Sequence, residues 1–272
     1  MQQLTENVFV ETGVRGCNHG FVKTAEGIVM IDTPQKPTDA LKWRDLIASH
    51  GEVRYLFNTE PHADHWTGNT FYPSATIVAH EGVRDRILAE GAAPVIQRVK
   101  TMGPEQQGYM DGYVPKAPDI TFTSELKLHV GDHDFIAIHH PGHTPYQAAI
   151  LIPQEGMVFT SDNIFHKCQT FLHEALPQEW LNTLEQLRAI DADVFVPGHG
   201  EICGKDYLDE QGAFIQEWLD LVQGAIHRGM NKADAVEELS LLDPYPMDIE
   251  IDFMGPMVMR WNVNRLWDVL TD

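Results

Sequence analysis

Four short stretches of this 272-residue chain concentrate histidine and carboxylate. The first is Glu60-Pro61-His62-Ala63-Asp64-His65. The second is His140-Pro141-Gly142-His143-Thr144-Pro145. The third is Ser161-Asp162-Asn163, and the fourth is Val196-Pro197-Gly198-His199-Gly200. Imidazole nitrogen and carboxylate oxygen are the donors that borderline and hard divalent metals accept. Pro61 pushes Glu60 toward extended backbone, where residues two apart face the same side. Glu60 and His62 are therefore expected to point into one space, with Asp64 and His65 turning into the next. A lone Gly-His-Gly is more often a turn than a ligand, and a lone Asp after a strand is usually a helix cap. The four stretches together, in this order, are far more specific than any one.

These residues need a scaffold of strand ends. Apolar runs at Val8–Val10, Phe21–Thr24, Ile28–Ile31, Val53–Asn58 and Thr76–Ala79 read as strands. So do Thr121–Phe122, Lys127–Val130, Asp134–His139, Ala148–Ile152, Met157–Thr160 and Val194–Val196. Helices are expected at Asp39–Ser49, Val83–Glu90, Gln178–Ile190, Tyr207–Gly224, Lys232–Leu241 and about Pro256–Leu270. Three of the four chemical stretches directly follow a strand, and sheet enzymes assemble sites from such positions. Residues 92–118 contain Pro94, Pro104, Pro115 and Pro118 with Met102, Tyr109, Met110 and Tyr113, and read as an irregular insertion serving as a lid or binding loop. Strands and helices so mixed suggest two sheets packed face to face with helices outside. A two-fold echo accompanies them: Ile31-Asp32-Thr33 and Thr160-Ser161-Asp162 each follow strands and precede a helix.

Composition narrows the partners. Lys+Arg is 19 against Asp+Glu 40, a formal net charge of -21. That repels phosphate backbones and anionic lipid, so neither nucleic acid nor membrane is an expected partner. Three unpaired-looking cysteines argue against a disulfide framework. The first residues show no basic, apolar leader, so a cytoplasmic protein is expected. Trp218, Trp261 and Trp267 fall at helical spacing and suggest core or a subunit interface, which makes a homodimer an expectation too.

The sequence resembles the metallo-β-lactamase-fold hydrolases over roughly residues 8 to 203. The resemblance rests on Val29-Met30-Ile31-Asp32, the 60–65 loop, Pro141-Gly142-His143-Thr144-Pro145, Phe159-Thr160-Ser161-Asp162 and Pro197-Gly198-His199-Gly200. It implies a four-layer αββα sandwich, an α/β (α+β) fold of two mixed sheets flanked by helices. The catalytic domain would cover 1–203 and a C-terminal helical extension, packed on it, 204–272. It also implies two metal sites. Glu60, His62 and His143 would form the first and Asp64, His65 and His199 the second, with Asp162 bridging and Asp32 steadying the metal loop from behind. The family motif is His-x-His-x-Asp-His, and Glu60 departs from its first position. A carboxylate there would leave two His and one Glu, a set known for catalytic zinc and also suited to non-haem iron. It would make the site one charge less positive and raise the pKa of bound water.

The expected chemistry is hydrolysis of a small-molecule ester, lactone, thioester or amide by a metal-bound hydroxide, with Asp64 orienting the nucleophile. Zinc is the expected ion, with iron or manganese as options that Glu60 opens. No Gly-x-Ser-x-Gly elbow offers a serine alternative. Further substrate-facing or supporting candidates are His19, His140 and His166. The last heads a run (Lys167, Gln169, Phe171, His173) that could line the same cleft. Two other readings stand beside hydrolysis: a non-haem iron oxygenase on the same fold, and a metal-binding protein without turnover.

Overall fold

The computed structural model of the chain describes residues 1–271. A seven-stranded sheet runs in order from β1 (Gln2–Gln3) through β2 (Val8–Glu11), β3 (His19–Thr24), β4 (Gly27–Ile31), β5 (Val53–Asn58) and β6 (Thr76–His80) to β7 (Ile120–Phe122). It is antiparallel from β1 to β4 and parallel from β4 to β7. The second sheet has the order β12-β11-β10-β9-β8. These strands are β8 (Glu125–Val130), β9 (His133–His139), β10 (Ala148–Ile152), β11 (Met157–His166) and β12 (Val194–Gly200). Only β11 and β12 pair in parallel there. Both sheets are therefore mixed.

Alternation along the strands builds three apolar layers. Val8, Val10, Val29, Ile31 and Phe57 point inward to meet Phe135, Ala137, Ile150 and Phe159 of the opposite sheet. The alternate residues Phe9, Phe21, Met30 and Leu56 point outward onto Trp43 and Ile47 of helix α1 (Pro37–Ala48). Beyond the second sheet, Val158, Phe165 and Phe195 pack under three helices: α5 (Pro177–Ala189), α6 (Tyr207–His227) and α8 (Gly255–Thr271). The result is the αββα sandwich. Between α6 and α8 lies the short α7 (Lys232–Glu238). Among the described residues no helix is long and apolar enough to cross a membrane.

Three expectations need correction. The 92–118 segment is not irregular: α3 (Glu81–Glu90) is followed at once by α4 (Ala92–Lys100), then by a 3-10 turn at Pro104–Met110. Pro94 is tolerated because it sits in the first turn of α4, where a missing N–H costs no internal bond. Val95, Val99, Met110 and Tyr113 are buried against Ala63 and Trp66 of the one-turn helix α2 (Ala63–Trp66), so the segment buttresses the 60–65 loop from behind. Strands β11 and β12 also outrun the expected ends at Thr160 and Val196, and carry Asp162 and His199 within them. Register shifts between Phe159 and Ser161, and again between Ser161 and Phe165, let β11 bulge there.

Candidate metal centre

The 60–65 loop leaves β5 with Glu60 and His62 facing together, His62 Nδ1 lying 2.7 Å from Glu60 Oε1. His143, from the β9–β10 connection, brings Nε2 to 3.1 Å from His62 Nδ1 and 3.8 Å from Glu60 Oε2. Asp162 lies between the groups. Its Oδ2 is 3.5 Å from His143 Nε2 and 3.4 Å from His199 Nε2, and its Oδ1 is 3.1 Å from His65 Nε2. Asp64 Oδ2 stands 3.4 Å from His199 Nε2. Donor atoms of Glu60, His62, His143 and Asp162 lie within 4.8 Å of one another, and so do those of Asp64, His65 and His199.

Local backbone explains the convergence. Asp32, at the end of β4, and Ser161, just before Asp162, both adopt left-handed φ, at 55° and 54°, a conformation that non-glycine residues hold only when surroundings enforce it. Asp32 accepts from Thr59 N at 2.8 Å, Thr59 Oγ1 at 2.5 Å and His65 Nδ1 at 2.9 Å. Thr59 Oγ1 in turn lies 2.8 Å from Ser161 Oγ, so one carboxylate ties the two acid-bearing strand ends together. Gly198 is required by space: a Cβ there would fall 1.8 Å from Asp162 Oδ1.

Three of the four imidazoles are oriented by a hydrogen bond at the other nitrogen, His65 by Asp32 among them. His143 Nδ1 donates to Phe171 O at 2.7 Å, which directs Nε2 into the cluster. His199 Nδ1 bonds Asp248 Oδ2 at 2.7 Å. His62 Nε2 faces Glu174 Oε1 at 3.8 Å, and Arg86 holds Glu174 in a two-pronged pair at 2.6 and 3.0 Å. Such partners fix the tautomer and aim of metal-binding histidines.

Charge and satisfaction test whether divalent ions suit this set. None of Glu60, Asp64 and Asp162 pairs with Lys or Arg among the described residues; their partners within 4 Å are histidines. Glu60 Oε2, Asp162 Oδ1 and His65 Nε2 are buried without a hydrogen-bond partner, a costly state for polar atoms unless something else satisfies them. Burial lifts the Glu60 carboxyl above its usual range. Burial also opposes charge on His62, but Glu60 and Glu174 outweigh it and raise that histidine to about 10. His143, with burial dominant, falls to about 3. At Asp162 burial works upward, yet His199 and His65 hold the carboxyl well below its ordinary value. Clustered buried carboxylates that draw this strongly on neighbouring positive charge, with neutral imidazole beside them, make a donor set that fits divalent cations.

The remaining candidates lie elsewhere. His19 is buried edge-on against Trp43, with Nδ1 3.2 Å from Cys17 O, and reaches no ligand atom. It packs on the α1 side, 1% exposed. His140 is buried and its carbonyl accepts from Asn163 Nδ2 at 2.9 Å, so its backbone ties the His143 loop to β11. His166 turns its Nδ1 to Glu201 O at 2.7 Å and its ring edge to Tyr207, outside the cluster. Gln169 lies against the 241–246 backbone instead of a cleft. Cys17 stands behind His65, and burial pushes its thiol to about 12, keeping it protonated.

Three residues near the centre were not read as site residues in the sequence: Glu174, Asp248 and Trp261. His173 stacks on His62 at 5.0 Å, and Trp261 lies 5.8 Å beyond it, 38% exposed. Trp218, by contrast, is wholly buried in the helical layer. His173 belongs to the run after Asp162 that was expected to line the cleft. Asp248 and Glu174 carried no signal, because one acid in a loop looks like any other.

The chain is 26% identical over 149 residues to a hydroxyacylglutathione hydrolase of Bartonella quintana, covering 55% of this chain and 53% of the relative. It is 21% identical over 257 residues to a linear primary-alkylsulfatase of a Pseudomonas species, covering 80% and 48%. It thus spans about half the length of these relatives. Among solved structures it resembles a metallo-beta-lactamase from Pontibacter korlensis, with a TM-score of 0.62, 20% identity, and coverage of 79% of this chain and 97% of that one. The family model for the metallo-beta-lactamase superfamily matches residues 12–199. That stretch runs from the end of β2 to the last histidine of the cluster, and the chain belongs to the metallo-beta-lactamase superfamily.

Proposed function

We propose that this protein is a metal-dependent hydrolase that holds two divalent ions, zinc foremost, and cleaves a small-molecule carbonyl ester, thioester or lactone. The observation that carries the reading is the convergence of seven donor side chains from four separate segments, with buried acceptor atoms lacking any protein partner. Relatives whose names include a hydroxyacylglutathione hydrolase, a thioesterase and an alkylsulfatase support hydrolytic chemistry. Glu60, His62 and His143 would hold one ion and Asp64, His65 and His199 the other, with Asp162 shared. When bound, the pair would supply Lewis acidity and make water nucleophilic near neutral pH.

The chain's own residues do the rest. Asp64 is more exposed (21%) than the deep acids Glu60 and Asp162, which makes it the carboxylate that can meet incoming water, orient it and accept its proton. The His62–His173–Trp261 stack leads outward from the centre, so it would form one wall of the entrance, exclude water and accept a flat or apolar part of the substrate. Metal analysis of the purified protein, with lactone, aryl ester, acyl thioester and cyclic amide substrates and a parallel oxygen-uptake measurement, tests the proposal. Zinc or manganese near two equivalents with acid release is expected. Iron with oxygen consumption would overturn hydrolysis in favour of oxygen chemistry, and turnover of nothing in a fully metallated protein would leave only a binding role.

A further inference from the structure

The match to the superfamily ends at residue 199, but the geometry around His199 does not end there. Its ring lies flat on Phe165, with centroids 5.1 Å apart and planes 5° from parallel. Stacking fixes the plane of an imidazole but not its sense. A half-turn about Cβ–Cγ keeps the plane and exchanges nitrogen for carbon at both positions. What selects one sense is Asp248, whose Oδ2 accepts from His199 Nδ1 at 2.7 Å. Nε2 is then left facing Asp64 Oδ2 and Asp162 Oδ2, each at 3.4 Å. The two side chains are 9% and 11% exposed, so water competes little for the bond.

Asp248 is also held in place. It lies 49 residues beyond His199, on a strap after α7. Gln169 Nε2 sits 2.7 Å from Tyr245 O, 2.9 Å from Leu241 O and 3.0 Å from Leu242 O, and Gln169 N donates to Pro246 O at 2.9 Å. Met247 is buried in the helical core, and Glu250 pairs with Lys36 on the far side. Pro244 and Pro246 stiffen the approach. The other two ring-orienting acceptors, Asp32 for His65 and Phe171 O for His143, come from within the matched region. Only the fourth-loop histidine takes its partner from outside it.

We infer that the C-terminal extension completes the metal centre: Asp248 is a positioning residue that sets which nitrogen His199 presents, and thereby the divalent-ion affinity of the Asp64–His65–His199 set. The inference rests on the two-ion reading above. Loss of a carboxylate behind a metal-binding histidine typically weakens metal binding ~10–100-fold.

The test titrates the metal-depleted full-length chain with Co2+ alone and follows the visible absorption bands. The unsubstituted protein is expected to take up two equivalents. Asp248→Ala should bind one equivalent as before and the second ~10–100-fold more weakly. Asp248→Asn, which keeps an acceptor oxygen, should recover part of that loss. A second equivalent that binds Asp248→Ala with unchanged affinity and spectrum would overturn the inference. So would parallel loss of both equivalents in Asp248→Ala and Asp248→Asn together with a lowered Tm, since the strap would then be merely structural. Fewer than two equivalents in the unsubstituted protein would instead remove the two-ion reading itself.

Discussion

Replacing Asp32 with alanine should cost more stability than an ordinary buried substitution, and the structure indicates how much. The carboxylate is 2% exposed and accepts from Thr59 N, Thr59 Oγ1 and His65 Nδ1. The Thr59 hydroxyl can turn to Ser161 Oγ, 2.8 Å away. The other two donors would be stranded, at about 1–3 kcal/mol each. Alanine must also hold φ near 55°, worth about 1–2 kcal/mol more. Together these give about 3–8 kcal/mol, a large part of a typical domain's margin. Asp32→Asn keeps one acceptor and tolerates left-handed backbone, so it should lose about 1–3 kcal/mol. Urea denaturation of chelator-treated protein measures both, independently of any bound ion. Because Thr59 adjoins Glu60, Asp32→Asn should also show weakened metal uptake. A loss below about 1 kcal/mol in Asp32→Ala would refute the claim that this carboxylate holds the metal loop.

Three other outcomes follow from the same geometry. Glu60→His removes one negative charge from the donor set; for unit charges about 4 Å apart at an effective dielectric of 20–80 that is roughly 1–4 kcal/mol, so the acidic limb of the pH–rate profile should move down by about one to three pH units, and an unmoved limb with unaltered metal content would contradict the role given to Glu60. His133 is buried between Glu155, 2.8 Å from Nε2, and Asp132, 2.9 Å from Nδ1; burial opposes its charge but these acids raise its pKa. Its contribution should therefore be complete below about pH 6.5 and fade as pH rises through the elevated folded-state value, so the stability gap between the unsubstituted protein and His133→Gln should close on the alkaline side; a gap that widens there contradicts the assignment. Gly198→Ala forces a methyl onto Asp162 and the Ser161 backbone, so it should cost about 1–3 kcal/mol or more and reduce bound metal, whereas Gly108→Ala, with no atom within 4 Å of the new Cβ, should change neither.

The ligand-type residues and most strands were legible because both depend on short patterns. Apolar runs such as Val29-Met30-Ile31 are buried on both faces, which gives a continuous signal, and His and Asp after such runs stand out. Strand order was not legible, since pairing such as β11 with β12 joins segments about 40 residues apart and leaves no local trace. The prolines of 92–118 misled for a definite reason: Pro94 is compatible with a first helical turn, so it marked the start of α4 and not a loop. Trp261 read as core or a subunit interface because helical spacing says which face a residue shares, not what covers that face. Asp248 and Glu174 act through contacts with residues 49 and 112 positions away, and a sequence read locally holds no mark of either.

The inter-sheet layer has a consequence of its own. Glu60 leaves β5 in one sheet, while Asp162 and His199 lie on β11 and β12 in the other; deep in the sandwich, Phe57 and Phe135 stack across the same seam at 6.1 Å. Bound cations would act as a rivet at one rim of this seam. By reciprocity of linkage, whatever loosens the sandwich relaxes the grip on the ions, and whatever tightens the grip stiffens the sandwich. Metal occupancy would thus report, from one edge, on the cohesion of the whole interior.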